Sequence, residues 1–138
     1  MPAAILDANV YIDYWRRTLS EAALAEMQRR FIIRHSSVVL SELRRGARTP
    51  QALRLVESLA RLARIQWAPT AADWWEAGRI IRRVGDARGW DRTRRLRFQN
   101  DTLIALTARR QGATIVTANR DDFELLATEV GASAFYLP

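Results

Sequence analysis

The sequence predicts an α/β fold: a single domain over residues 1–138, with a central parallel β-sheet flanked by α-helices. Short apolar runs rich in β-branched residues alternate with longer stretches whose apolar residues recur at helical spacing. Their order is strand, helices, strand, helices, strand, helices, strand, helix, strand, which is the pattern of a parallel sheet joined by helical crossovers. At 138 residues the chain is long enough for one core and short for two, and it contains no repeat, linker or low-complexity segment.

Ala3–Leu6 reads as the first strand. It ends on Asp7 and turns at once into a helix carrying Val10, Tyr11 and Tyr14. Asp7 suits a helix N-cap as well as a functional acid. Asp13, three and four residues before Arg16 and Arg17, reads as a solvated salt-bridge partner. Glu21–Arg30 is an amphipathic helix, and residues 31–37 hold a second strand. His35 has no His or Cys companion and reads as structural. Ser36 or Ser37 can cap the helix that follows. Glu42 shares a face of it with Val38 and Val39, or else pairs with Arg45 at the surface.

After a turn at Thr49 and Pro50, residues 52–63 form a helix, 65–67 a third strand and 70–84 a long helix. Adjacent Trp74 and Trp75 cannot share a helix face, so one is assigned to the core and the other to an edge or interface. Residues 86–97 carry Arg88, Arg92, Arg94, Arg95 and Arg97, with Trp90 and Phe98 interspersed. They form either an RNA-binding strip that contacts phosphates or a solvated, mobile loop. Asp101 opens the next helix in line with Ile104, Ala105 and Ala108, a costly place for a charge. Gly112 stops that helix, residues 113–116 form a fourth strand, and 117–123 form a polar, acidic loop. A short helix over 123–127 and a strand over 133–137 close the chain.

Composition narrows the chemistry. The formal charge is +7, which favours polyanion partners or an acidic protein. All 22 basic residues are Arg, so a mechanism that needs Lys is excluded. The absence of Cys rules out disulfides, thiolate nucleophiles and Cys-ligated zinc, and the single His argues against a His-ligated zinc. No apolar run approaches the ~18 residues of a membrane span and no signal-peptide pattern opens the sequence. A cytoplasmic location is therefore expected.

Asp7 ends the first strand, Glu42 follows the second, Asp101 opens the helix before the fourth, and Asp122 follows the fourth. In a right-handed parallel sheet these positions converge at one edge. Clustered carboxylates repel one another and resist desolvation unless a cation holds them together, so a divalent-metal site is expected.

The segments Ile5-Leu6-Asp7-Ala8-Asn9, Ser36-Ser37-Val38-Val39-Leu40-Ser41-Glu42-Leu43, Asp101-Thr102-Leu103-Ile104-Ala105 and Thr117-Ala118-Asn119-Arg120-Asp121-Asp122-Phe123 together resemble the PIN-domain ribonucleases, specifically VapC-type toxins of type II toxin–antitoxin pairs. The resemblance spans the whole chain. It implies an endoribonuclease dependent on Mg²⁺, with Mn²⁺ able to substitute, whose acidic positions are Asp7, Glu42, Asp101 and Asp122. Asn9, Thr117 and Asn119 match the accompanying polar residues, and Asp122 is matched rather than Asp121 because it directly precedes Phe123. On this resemblance Asp7, Glu42 and Asp101 hold the principal ion, and Asp122 helps through a water or a second ion. A metal-activated water attacks the RNA phosphodiester, leaving 5′-phosphate and 3′-hydroxyl ends. The resemblance also implies a homodimer and a cognate antitoxin that covers the active site. Phosphoacceptor domains also place Asp at a strand end, but they need a Lys that is absent here. A non-catalytic nucleic-acid-binding module using the Arg-rich strip leaves the four acids unexplained.

Overall fold

Five strands, β1 (Ala3–Leu6), β2 (Ile32–Ser36), β3 (Gln66–Trp67), β4 (Thr114–Thr117) and β5 (Ser133–Tyr136), form one parallel sheet in the order β3-β2-β1-β4-β5. The structure is a computed structural model and describes residues 1–138. The crossovers carry α1 (Ala8–Trp15), α2 (Glu21–Arg30), α3 (Ser37–Gly46), α4 (Pro50–Leu62), α5 (Ala71–Arg88), α6 (Arg92–Gln111) and α7 (Arg120–Val130). None of the helices is long and apolar enough to cross a membrane.

The central strands β1 and β4 are covered on both faces, which is why they read as apolar runs rather than as alternation. Ile5 pairs with Ile115, and both are fully buried in the larger core with Phe98, Leu103 and Ile104. Ala4 and Val116 point the other way, into a smaller cluster with Met27 and Phe31. Helix α6 is the spine of the domain, with every residue from Thr102 to Ala108 buried. The hydroxyls of Thr102 and Thr107 donate to the carbonyls four residues back, each at 2.8 Å, so neither is left unsatisfied.

Several expectations are corrected. Asp101 does not open a helix: α6 begins at Arg92, capped by Asp91, whose Oδ1 accepts from the Arg94 N–H at 2.8 Å. The Arg-rich stretch is therefore no loop. Arg is a strong helix former and no Gly or Pro interrupts residues 92–111. Residues 120–123 likewise belong to α7, capped by Asn119, so Asp121 and Asp122 occupy its first turn, where the helix dipole favours a carboxylate. Pro50 is the first residue of α4, a position that needs no N–H, rather than part of a turn. Trp74 and Trp75 are both outside the core, 52% and 87% exposed, because the buried stripe of α5 runs through Asp73, Ala77, Ile80 and Val84. Asp13 forms no ion pair; its carbonyl accepts the Thr18 and Leu19 N–H groups where the chain leaves α1, with Arg17 at φ 58.

Helices α5 and α6 form a hairpin pinned at both ends. At one end Asp73 completes a capping box with Thr70 and takes two bonds from Arg110, from Nη2 at 2.6 Å and Nε at 3.2 Å. At the other, Arg95 donates to Asp86 and to the Trp90 carbonyl, each at 3.0 Å. Its guanidinium lies against Gly85, where a Cβ would come within 2.7 Å of it.

The Arg110 hydrogen bond holds the Asp73 carboxyl below its ordinary 3.8. A depressed carboxylate contributes stability above the unfolded-state value and loses it as pH falls through the folded one. Asp73→Ala should therefore cost about 2 kcal/mol near neutral pH by urea unfolding, from the lost cap and ion pair. The gap to the parent should shrink in acid below 3.8. A gap of equal size at both pH values would contradict this.

Candidate metal centre

Strand order reverses between β1 and β4, so the crevice beyond their carboxyl ends is the topological switch point of the sheet, where open α/β folds place ligands. Leu6 pairs with Val116, and one more step along each strand sets Asp7 beside Thr117, on the face that carries Ile5 and Ile115. The Thr117 hydroxyl donates to Asp7 Oδ2 at 2.8 Å, Asn9 Nδ2 donates to the same oxygen at 3.0 Å, and the Ala8 N–H donates to Oδ1 at 2.8 Å. Asn9 in turn accepts the Ala118 N–H at 3.1 Å, tying α1 to the end of β4. Asn119 caps α7 and donates from Nδ2 to Asp101 Oδ2 at 3.1 Å. The three polar residues matched in the sequence thus orient two of the acids.

Asp7, Glu42, Asp101 and Asp122 all line one crevice of about 890 Å³. They reach it from four separate elements: the end of β1, the middle of α3, the middle of α6 and the first turn of α7. Asp121, by contrast, is exposed and faces a neighbouring hollow. His35 is half-buried near the end of β2, paired with Gln66 of β3, outside this crevice.

The electrostatics of this cluster are unfavourable as it stands. Burial, followed by the charge of Asp7, a hydrogen bond shared with Asp122, and the charges of Asp122 and Glu42, pushes Asp101 up to about 9. Burial and the charge of Asp7 push Glu42 up to about 7, with Arg45 and Asn100 offsetting part of the rise. Burial also raises Asp7, against the pull of its three hydrogen bonds. Glu42 makes no ion pair within 4.0 Å with Arg45, and its buried Oε1 has no hydrogen-bond partner.

The donor set fits a hard divalent cation, which takes oxygen ligands and would relieve each of these penalties. As the side chains stand, no three acidic groups are close enough to grip an ion unaided. Mg²⁺ does not require that, since it keeps several waters and uses one or two carboxylates directly.

The arginines divide. Arg94 and Arg97 line the crevice, falling seven and four residues before Asp101 on the same stripe of α6. Arg94 is the residue whose role the sequence reading missed. Its Nη2 lies 2.6 Å from Asp122 Oδ1 and its guanidinium stacks 4.0 Å from the Trp90 ring centroid. The helical spacing from Arg94 to Asp101 signals a place on the crevice wall, which the strip-or-loop reading of 86–97 left unused, but not the pairing with Asp122. Arg95 is committed to Asp86 and Trp90, Arg88 faces the hollow that contains Asp121, and Arg92 is exposed at the start of α6.

A carboxyl whose folded-state value is raised takes up a proton on folding, so metal-free stability falls as pH rises from the unfolded value toward the folded one. For Asp101 that window runs from 3.8 to about 9. Asp101→Asn keeps the bond from Asn119 and removes the penalty. Without divalent ions near pH 8 it should melt higher than the parent by about 3 °C or more. A lower melting temperature in EDTA would contradict the account.

The PIN domain family model matches residues 4–129. The chain shares its fold with a chain of VapBC2 from Rickettsia felis, solved bound to a DNA fragment from their promoter, at TM-score 0.70 and 18% identity over 99% of both chains. VapBC-1 from nontypeable Haemophilus influenzae aligns at TM-score 0.69 and 20% identity over 97% of both. FitAcB from Neisseria gonorrhoeae aligns at 0.63 and 20% over 96% of both. No curated protein matches the sequence significantly. Matched by the family model from residue 4 to residue 129 of its 138, the chain belongs to the PIN domain family.

Proposed function

We propose that this protein is a VapC-type toxin, an endoribonuclease that hydrolyses RNA phosphodiester bonds with Mg²⁺, or Mn²⁺ in its place, and is restrained by a cognate antitoxin. The observation that carries the reading is the crevice itself: four carboxylates from four elements face it, with Arg94 and Arg97 on its wall. Acidic groups cannot attract a polyanion, so the arginines and the +7 charge bring RNA to the site while the carboxylates serve the chemistry. A bound divalent ion supplies a more acidic water and a charge that offsets the transferring phosphate.

The remaining steps belong to side chains. Thr117, Asn9 and the Ala8 N–H fix Asp7, and Asn119 fixes Asp101, so that both present oxygen to the ion without reorganising. Glu42 has a free, buried Oε1 with which to join them or to orient the attacking water. Arg97 stands ready for the RNA backbone along the same stripe.

The antitoxin half of the reading is supported by an apolar groove of about 350 Å³ beside Tyr14, Trp15, Leu24, Met27 and Leu55. A smaller hollow shares Trp15 and Leu55 with the groove and extends to Glu42, so a partner seated there reaches the crevice. The homodimer included in this reading has an aromatic surface available in exposed Trp74 and Trp75.

The test is incubation of purified, partner-free protein with structured RNA in Mn²⁺, in Mg²⁺ and in EDTA, alongside Asp101→Asn. Cleavage should require the metal, leave 5′-phosphate ends, and fall by about 10²-fold or more in the variant. Mn²⁺ should also raise the melting temperature of the parent more than that of the variant. Cleavage that survives EDTA, or 2′,3′-cyclic phosphate ends, would overturn the mechanism. RNA bound without cleavage under every condition would make the protein a nucleic-acid-binding module instead.

A further inference from the structure

The four carboxylates of the crevice are not equivalent. Asp122 alone has a cation within salt-bridge distance, the Arg94 guanidinium at 2.6 Å. Asp7, Glu42 and Asp101 line the same crevice and have none, and Glu42 leaves its buried Oε1 without any hydrogen-bond partner. The unmet demand for positive charge is therefore concentrated on three of the four acids.

Arg94 is also held where it is by a chain of contacts that runs through the pinned end of the α5–α6 hairpin. Its guanidinium stacks on Trp90 at 4.0 Å and lies 5.7 Å from the Phe98 centroid. Trp90 meets fully buried Phe98 edge-on, with centroids 5.0 Å apart and planes at 72°. The Trp90 carbonyl is fixed by Arg95, whose own guanidinium is seated on Gly85 and paired with Asp86. Stacking and a fixed carboxylate partner leave the Arg94 side chain little freedom to swing away.

We propose that Arg94 is the second cation of this site: its guanidinium takes the place on Asp122 that a second divalent ion would need, so that the crevice holds one ion, on the side of Asp7, Glu42 and Asp101. The inference rests on the metal-nuclease reading above and decides its stoichiometry. In two-metal nucleases the ions stand about 3.5–4 Å apart and clamp both the attacking and the leaving oxygen. Here the guanidinium supplies the second positive charge, with planar donors that match phosphate oxygens.

The test counts Mn²⁺ ions bound per chain by calorimetry on the full-length protein, which needs no activity. The parent should bind one, Arg94→Lys should also bind one, and Arg94→Gln should bind a second ion, lost again when Asp122→Asn is added. Two ions on the parent, or one on both the parent and Arg94→Gln with the variant folded by circular dichroism, would overturn the proposal. A purely structural role for Arg94 would lower the melting temperature of Arg94→Gln and leave the count at one. No Mn²⁺ binding by the parent would instead sink the metal-centre reading, and this inference with it.

Discussion

Repulsion among the buried and half-buried carboxyls of Asp7, Glu42 and Asp101, with Asp122 beside them, is the constraint on which the rest of the structure depends. Such a cluster opens unless the elements carrying it are fixed by other means. The sheet fixes Asp7 through the register of β1 on β4, and the buried stretch from Thr102 to Ala108 anchors the α6 segment that follows Asp101. The α5–α6 hairpin, pinned by Asp73 with Arg110 at one end and by Arg95 with Asp86 at the other, keeps α6 from tilting away. Polar residues then aim the oxygens, with Asn119 serving two purposes as the cap of α7 and the donor to Asp101.

The same constraint explains how a basic protein can carry an acidic site. With a formal charge of +7 the molecule attracts polyanions as a whole, while the crevice favours a cation. Arg94 lies where these two demands meet, with its side chain pairing to an acid of the site and its helix running along the crevice wall. A site built this way costs stability in the absence of an ion, which is a common trade between function and folding free energy.

Most of the sheet was legible in the sequence because its signals are local: apolar runs, stop residues and helical spacing. The four acids were legible because each sits next to such a signal, Asp7 and Asp122 beside strand ends, Glu42 and Asp101 on apolar helix stripes. Boundaries failed where charge was taken for irregular chain. Residues 92–97 are helix because Arg favours helix and the solvent side of α6 accepts it. The partnership of Arg94 with Asp122 joins residues 28 apart through tertiary packing and has no local signature. Trp74 and Trp75 were divided between core and surface because neighbours on a helix cannot share a face, whereas small Ala77 and paired Asp73 take the buried stripe of α5 and leave both tryptophans outside.

The measurement that bears most directly on this account is the titration of the Asp101 carboxyl carbon by NMR, without divalent ions and then with saturating Mg²⁺. In the metal-free protein the midpoint should be pushed up to about 9, and Mg²⁺ should bring it below the ordinary 3.8. A metal-free midpoint near 3.8, or one that Mg²⁺ leaves unmoved, would contradict the claim that these carboxylates form a repulsive cluster built for a cation.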